Sequence, residues 1–236
     1  LIISPEEPES ASYFEPAVLT PVNPESALRH LRMFAEFMAN EPNIVANMTY
    51  PHPERIERTL VIIKPDNWRY PSSKPGTIID MFSRTGLRII GCKVVQMSVA
   101  QALEFYGPVK AALEKKLSPV AGRQARQHLE ERFRMRLDER METCLAETFG
   151  VVYARSQFDK IIEFMSGHNP SELAEELREL PGRVKSMVLV YEGQNAVEKI
   201  RSVLGPTDPT QAPGGTVRKE FGSDVMVNTA HASDSP

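Results

Sequence analysis

The chain is poor in cysteine and has no long apolar segment. Its two cysteines, Cys92 and Cys144, lack the paired spacing of a metal site, and so few thiols suit a reducing compartment. No apolar run reaches the roughly 18 residues that a membrane-spanning helix requires. Residues 1–5 lack the basic start and apolar core of a signal peptide, and the initial Leu leaves open whether the natural N-terminus precedes it. These absences predict a cytoplasmic protein with no membrane partner.

An excess of positive charge is also missing. The sequence has 28 Lys and Arg residues and 31 Asp and Glu residues, which gives a net charge of −3 and a pI near 6.0. Nucleic-acid backbones are bound by basic surfaces, so no nucleic-acid partner is expected. A small anionic ligand must instead be held by a local cluster of Lys and Arg. The Walker pattern G-x-x-x-x-G-K-[ST] occurs nowhere, which argues against a P-loop enzyme.

The length and hydrophobic content of the chain suffice for one large domain, since hydrophobic residues make up 41% of the 236 positions. Residues 1–22 are rich in Pro, Glu and Ser, which is typical of a poorly ordered arm. Asn23 and Pro24 then mark the start of a helix with an apolar face, and prolines at positions 51 and 53 end this region. We therefore expect an N-terminal arm with one helix over 1–50 and a main domain over 51–236.

Strand and helix patterns alternate along the main domain. Residues 59–63, Thr-Leu-Val-Ile-Ile, form an apolar run typical of a strand buried on both faces. Further strands are predicted at about 87–97, 184–191 and 225–231, with helices at 76–84, at 158–165 and at 195–204. Ser98 and Gln101 have the spacing of a capping box, which predicts that a short helix carrying Tyr106 starts after Ser98. This order predicts an α+β sandwich of the ferredoxin-like βαββαβ type, in which helices cover one face of a four-stranded, mainly antiparallel sheet.

Two stretches look like helical insertions into this pattern, at about 109–156 and 167–181. The second begins with Asn169-Pro170-Ser171-Glu172, which predicts a capped short helix. The first carries an apolar residue every fourth position among Arg and Glu, which predicts one amphipathic helix. The residues of that stripe are Leu129, Phe133, Leu137, Met141 and Leu145.

Three places combine residue types that are used in anion chemistry. Lys64 stands at the exit of the first buried strand, where a charge must be solvated, paired or functional. Arg201 and Arg218 flank a Pro- and Gly-rich loop, and guanidinium groups match phosphate oxygens bidentately. His231 lies in a polar tail, and a neutral imidazole can act as a nucleophile near pH 7. Taken singly, each is more often an ordinary strand-end or surface residue.

Together these motifs resemble those of a known family, the nucleoside diphosphate kinases. Residues 57–66, ERTLVIIKPD, are similar to the family's opening strand, and Asn-x-x-His-x-Ser-Asp over 228–234 resembles its active-site signature. The segments between them fit the third strand, the helix after it and the stretch before the active site. The resemblance covers about 57–107, 157–166 and 184–236.

The resemblance implies transfer of the γ-phosphate from a nucleoside triphosphate to a nucleoside diphosphate. His231 would be phosphorylated at Nδ1 in a ping-pong mechanism, with Mg²⁺ as a cofactor that arrives on the nucleotide. Nucleoside di- and triphosphates would be the partners, and a homo-oligomer is expected. The alternative is a catalytically impaired nucleotide-binding or interaction module on the same fold. The residues expected to contact phosphates or ribose, or to steady the histidine, are Lys64, Tyr106, Arg201, Thr207, Arg218 and Asn228.

Three departures from the family pattern stand out. The family's base-stacking phenylalanine aligns with Gln157, so either Phe158 takes over the stacking or packing on the base is weaker. The family continues beyond the histidine into a helix whose glutamate orients the imidazole, whereas this sequence ends at Pro236. The third departure is the insertion over 109–156, which we expect either to replace that helix beside the histidine or to lie remote and serve oligomer contacts. Its candidate acceptors are Glu130, Glu131, Asp138, Glu139, Glu142 and Glu147.

Overall fold

A computed structural model describes residues 20–40 and 49–236, which fall into two compact units divided after Asn43. The first unit contains the predicted helix, α1 (Pro24–Asn40). The side chain of Asn23 accepts a hydrogen bond from the backbone N of Ser26, which is the expected capping interaction. Within this unit the apolar side chains of Leu31 and Phe34 are exposed.

The second unit is built on a sheet of β1 (Ile56–Ile63), β2 (Arg88–Val95), β3 (Ser186–Gln194) and β4 (Ala230–Ala232). Within the described residues the strand order is β2-β3-β1-β4, and every neighbouring pair is antiparallel. This confirms the predicted ferredoxin-like α+β fold. β4 is shorter than the predicted strand over 225–231, because the side chain of Asp224 accepts hydrogen bonds from the backbone N of Met226 and Val227 and holds that segment in a turn.

Helices cover both faces of the sheet, not the single face expected. One core lies between the sheet and helices α2 (Lys74–Ser83) and α6 (Ala196–Leu204), where Val61 and Ile63 are buried. The second core lies on the opposite face, where Ile62 packs against α3 (Val99–Phe133) and α5 (Val151–Ser166). Successive side chains of a strand point to opposite faces. The apolar run of β1 is therefore explained by a core on each side, as predicted.

The helix that starts after Ser98 is far longer than predicted. α3 is one continuous helix of 35 residues that contains Pro108 and Pro119. Its start is the predicted capping box, in which Oγ of Ser98 accepts from the backbone N of Gln101 and Oε1 of Gln101 accepts from the backbone N of Ser98. The first turns of α3 thus belong to the core domain, and its remainder extends into the insertion.

The chain then reverses and returns antiparallel to α3. The turn is at Arg134, which has a left-handed φ of 53°, and the return runs through α4 (Glu139–Leu145), a π-helical turn (Ala146–Gly150) and α5. The prediction of one amphipathic helix through 129–145 is wrong, because this turn separates Phe133 from Leu137. Close approach of the two arms needs glycine, since a Cβ at Gly122 would lie 2.7 Å from Cα of Ala146.

The second predicted insertion contains no α-helix in the described structure. Oδ1 of Asn169 accepts a hydrogen bond from the backbone N of Ser171, which makes a turn, and a single 3₁₀ turn follows at Glu175–Leu177. The predicted short helix is therefore wrong, because the asparagine closes a local turn where a cap was expected. Another short helix that the sequence did not indicate, α7 (Val217–Phe221), precedes β4.

Candidate active site

β4 turns His231 away from the first core. His231 is the middle residue of the strand and pairs with Ile62 of β1, while its neighbours Ala230 and Ala232 are buried in the core beneath α2 and α6. The imidazole therefore projects to the α3 side of the sheet. There the ring of Phe105 meets it edge to face, with 5.2 Å between the ring centroids and 77° between the planes.

The surroundings keep the imidazole of His231 neutral. Burial lowers its pKa to about 4, and the positive charges of Lys64, Arg218 and Arg201 add to this effect. Asp234 raises the pKa but offsets only part of the shift. At neutral pH one ring nitrogen therefore keeps a free lone pair, which a nucleophile requires. Within residues 20–40 and 49–236 neither nitrogen takes part in a hydrogen bond.

Lys64 is held at the end of β1 as a buried cation. Its Nζ donates to Oδ1 of Asn228 at 2.6 Å and to the carbonyl of Met226 at 3.4 Å. Burial, followed by the charge of Arg218, lowers the pKa of Lys64 to about 8, while Asp66 is one of the groups that raise it. Both hydrogen-bond acceptors are uncharged, so the positive charge of Lys64 is oriented but not cancelled.

The loop before β4 is tied together by Asn228. Its Nδ2 donates to the carbonyls of Val225 at 2.7 Å and Thr207 at 3.1 Å. Thr229 follows with a φ of 77°, and its carbonyl accepts hydrogen bonds from the backbone N of Lys64 and from Nδ2 of Asn67. These bonds stabilise the left-handed conformation that turns the chain into β4. Asn67 was not predicted, although it directly follows the Lys-Pro-Asp motif.

Two arginines complete the positive surroundings of His231. Arg218 lies on α7, and its Nη1 and Nη2 donate to the carbonyls of Gly205 at 2.9 Å and Ala230 at 3.0 Å. Burial, followed by the charge of Arg201, lowers the pKa of Arg218 to about 10. Arg201 lies in the last turn of α6 and forms an exposed ion pair with Asp234.

The aromatic residues predicted for the site lie in different surroundings. Tyr106 packs edge to face on Phe105, with 4.9 Å between centroids, and its buried hydroxyl has no partner among the described residues. Burial raises the pKa of Tyr106 to about 12. Phe158 is only 2% exposed in the second core, with Nζ of Lys110 5.5 Å from its ring centroid. Stacking of Phe158 on a base would require its ring to leave that core.

Most of the predicted residues therefore form one cluster around His231, and Phe158 lies apart from it in the second core. Charge coupling links His231 to Lys64, Arg201 and Arg218, and Asn228 joins through Lys64. Thr207 is exposed and is linked to the cluster through its backbone carbonyl. Phe105 is a site residue that sequence reasoning missed. Its only signal is its position next to Tyr106.

Three of the candidate carboxylates of the insertion, Glu130, Asp138 and Glu142, have partners within the helical hairpin that α3 forms with α4 and α5. Glu130 accepts from the backbone N of Leu137 and pairs with Arg126, which also pairs with Glu142. Asp138 accepts from the backbone N of Met141 at the start of α4. In the described chain no insertion carboxylate bonds to His231. The hypothesis that one of them orients the imidazole therefore does not hold within a single chain.

The described residues also contain no group of three or more His, Cys, Asp or Glu side chains that could hold a metal ion. Across the same residues, no helix combines the length and apolar character needed to cross a membrane.

Comparison with known proteins identifies relatives over most of the chain. The family model for nucleoside diphosphate kinase matches residues 57–116 and 138–236 and leaves out 117–137, which form the far end of α3 and the turn after it. A nucleoside diphosphate kinase of Cereibacter sphaeroides is 31% identical over 181 residues, which cover 77% of this chain and 86% of the relative. The corresponding protein of Anaeromyxobacter sp. is 31% identical over 180 residues, or 76% of this chain and 81% of the relative.

Solved structures of related proteins are also similar. An NDP kinase from Pyrobaculum aerophilum shares 27% identity with a TM-score of 0.49, over 77% of this chain and 90% of that one. The sequence match spans both the strand that precedes Lys64 and the segment that carries His231. The chain belongs to the nucleoside diphosphate kinase family of phosphotransferases.

Proposed function

We propose that this protein moves the γ-phosphate of a nucleoside triphosphate to a nucleoside diphosphate through a phosphohistidine at His231. Family membership supports nucleotide phosphotransfer. The observation that carries the histidine mechanism is a neutral imidazole whose pKa is lowered to about 4 by burial and by three surrounding cations. Such a group is a nucleophile inside a site built for negative charge.

In the first half-reaction, the free lone pair of the imidazole attacks the γ-phosphorus of the donor. The N–P bond forms as the bond to the β-phosphate oxygen breaks, and the diphosphate leaves with the electron pair. The proton on the other ring nitrogen stays in place. In the second half-reaction, a terminal oxygen of the acceptor diphosphate attacks the phosphohistidine and restores the neutral imidazole. Donor and acceptor use the same site in turn, which is ping-pong kinetics.

The cations around His231 are proposed to stabilise charge that develops during transfer. Lys64 and Arg218 are buried and fixed by hydrogen bonds, so they require little reorganisation when the phosphate arrives. Arg201 is half exposed and would bind a phosphate of the nucleotide that lies farther from His231 than the one being transferred. The unpartnered hydroxyl of Tyr106 is a donor with free capacity, and exposed Thr207 would meet phosphate or ribose.

Mg²⁺ is proposed to arrive on the nucleotide, coordinated by phosphate oxygens, and to neutralise part of their charge. A homo-oligomer in the cytoplasm remains our expectation. Two unpaired thiols, Cys92 and Cys144, are in keeping with a reducing compartment.

The decisive experiment is incubation with Mg²⁺ and ATP that is radiolabelled at the γ-phosphate. We expect an acid-labile, base-stable label on the wild-type protein that is discharged when a nucleoside diphosphate is added. His231→Asn should remain unlabelled, whereas His128→Asn, at an exposed histidine of α3, should label like the wild type. Nucleotide binding without any label on the wild type would instead establish the binding-module alternative.

A further inference from the structure

Phe105 makes the closest described ring contact to the nucleophile. Its ring centroid lies 5.2 Å from that of His231 with the planes 77° apart, which is the edge-to-face arrangement that aromatic quadrupoles favour. The ring of Tyr106 also packs edge to face on Phe105, with 4.9 Å between the centroids. Phe105 therefore contacts both its own neighbour and the imidazole.

The imidazole has no other described restraint on its rotation. The backbone of His231 is fixed by pairing with Ile62 of β1, and the adjacent carbonyl of Ala230 accepts from Arg218. In the described part of the chain neither ring nitrogen takes part in a hydrogen bond. A nucleophilic imidazole must nevertheless present one nitrogen in line with the phosphorus, and an error of about 1 Å costs roughly a hundredfold in rate.

We propose that Phe105 is a positioning residue that holds the imidazole of His231 in the orientation required for phosphoryl transfer. The inference rests on the proposed function. Phe105 does not take part in the chemistry, and it acts through the side chain that does.

Strand β4, which carries His231, and helix α3, which carries Phe105, both contact one residue of β1. Ile62 pairs with His231 across the sheet, and it also packs in the second core with Val99 and Ala102, which lie within the two turns before Phe105 on α3. The capping box at Ser98 fixes where that helix begins. A ring mounted on a capped helix that packs on the histidine's own strand partner is positioned by rigid elements, as precise sites require.

The contact also contributes to the burial of the imidazole. Burial is the largest cause of the low pKa of His231. Loss of the Phe105 ring would admit water beside the imidazole, so its pKa should rise towards the ordinary value. This gives a readout that a purely structural role would not change.

The test compares Phe105→Leu with Phe105→Tyr, which restores a ring. We expect Phe105→Leu to lower kcat about tenfold with the nucleotide KM unchanged, and Phe105→Tyr to stay within about twofold of the wild type. NMR titration of the His231 ring should show a raised pKa only in the Leu variant. Phe82→Leu is the matched control, because it removes an aromatic contact with Tyr191 in the other core and should change neither kcat nor the His231 pKa.

Unchanged kcat and pKa in Phe105→Leu would overturn the inference. So would a raised KM at constant kcat, which would make Phe105 a nucleotide contact. If Phe105→Leu fails to fold, Phe105→Met serves as the second ring-free variant, with the same expectations. If the wild type takes no label from ATP, the proposed function fails, but the NMR comparison still decides separately whether Phe105 packs on the imidazole and shields it from water.

Discussion

Nζ of Lys64 donates a 2.6 Å hydrogen bond to Oδ1 of Asn228, so a neutral amide orients the buried cation beside His231. A carboxylate in that place would neutralise the charge that an incoming phosphate requires. Nδ2 of the same amide is bound to the carbonyls of Thr207 and Val225. Because both ends of the amide are engaged within the protein, we infer that Asn228 acts through Lys64 and not directly on the nucleotide.

Lys64→Ala is expected to lower kcat about a hundredfold or more, and to raise the nucleotide KM much less. The reason is that a preorganised cation acts mainly on charge that develops during transfer. Arg218→Ala should have the same kinetic effect. It should also lower the free energy of unfolding by about 1–3 kcal/mol, because the carbonyls of Gly205 and Ala230 lose their donor. Steady-state kinetics and urea unfolding measure the two effects, and weaker binding at constant kcat would assign both residues to recognition alone.

The low pKa of His231 predicts a loss of stability on acidification. In the folded state the pKa of His231 is about 4, whereas in the unfolded chain the same imidazole should titrate near the ordinary value of 6.5. As the pH falls from about 6.5 towards 4, the unfolded state takes up a proton that the folded state does not, so stability is lost in this window and fully present above it. The free energy of unfolding of wild type should fall relative to His231→Asn by roughly 1–3 kcal/mol. A pH-independent difference between the two proteins would contradict the shift.

Asp234→Asn is expected to lower the nucleotide KM about two- to fivefold without changing kcat. Asp234 pairs with Arg201 and competes with phosphate for its guanidinium group, and exposed ion pairs contribute up to about 1 kcal/mol. The matched control is Asp80→Asn, which removes the Asp80–Arg84 pair at the end of α2, also an exposed pair, and should leave KM unchanged. A KM that stays constant or rises in Asp234→Asn would argue against phosphate binding by Arg201.

Gly150→Ala should destabilise the helical hairpin by about 1–3 kcal/mol. A Cβ at Gly150 would overlap the backbone carbonyl of Ser118 on α3, and the backbone cannot move aside cheaply. Gly107→Ala is the control within α3, because its Cβ would meet nothing within 4 Å, and it should stabilise by about 0.5–1 kcal/mol. Chemical denaturation of both variants measures the contrast, and equal effects would show that the arms are not in close contact there.

Local patterns in the sequence were sufficient for several elements. The apolar run of β1 could be interpreted because a strand with a core on each face must be apolar at consecutive positions. The capping box at Ser98 and Gln101 was predictable because both partners lie within one helical turn.

Other elements escaped prediction because packing overrides local propensity. α3 continues through Pro108 and Pro119, residues that usually end helices, since it packs along α5. The reversal at Arg134 could not be predicted, because the left-handed position is occupied by Arg and not by Gly or Asn, the residues that usually indicate such a turn.

The sequence by itself determined the family and singled out His231 as the proposed nucleophile, because the motif around His231 is a fixed spacing along the chain and does not depend on how the helices pack. Only the tertiary structure decided which aromatic ring lies beside the imidazole. The sequence predicted Phe158 as a site residue and did not indicate Phe105, but Phe158 is buried in the second core and Phe105 contacts His231. That difference depends on how α3 and α5 are rotated about their axes against the sheet. The rotation is set by contacts between residues far apart in the chain.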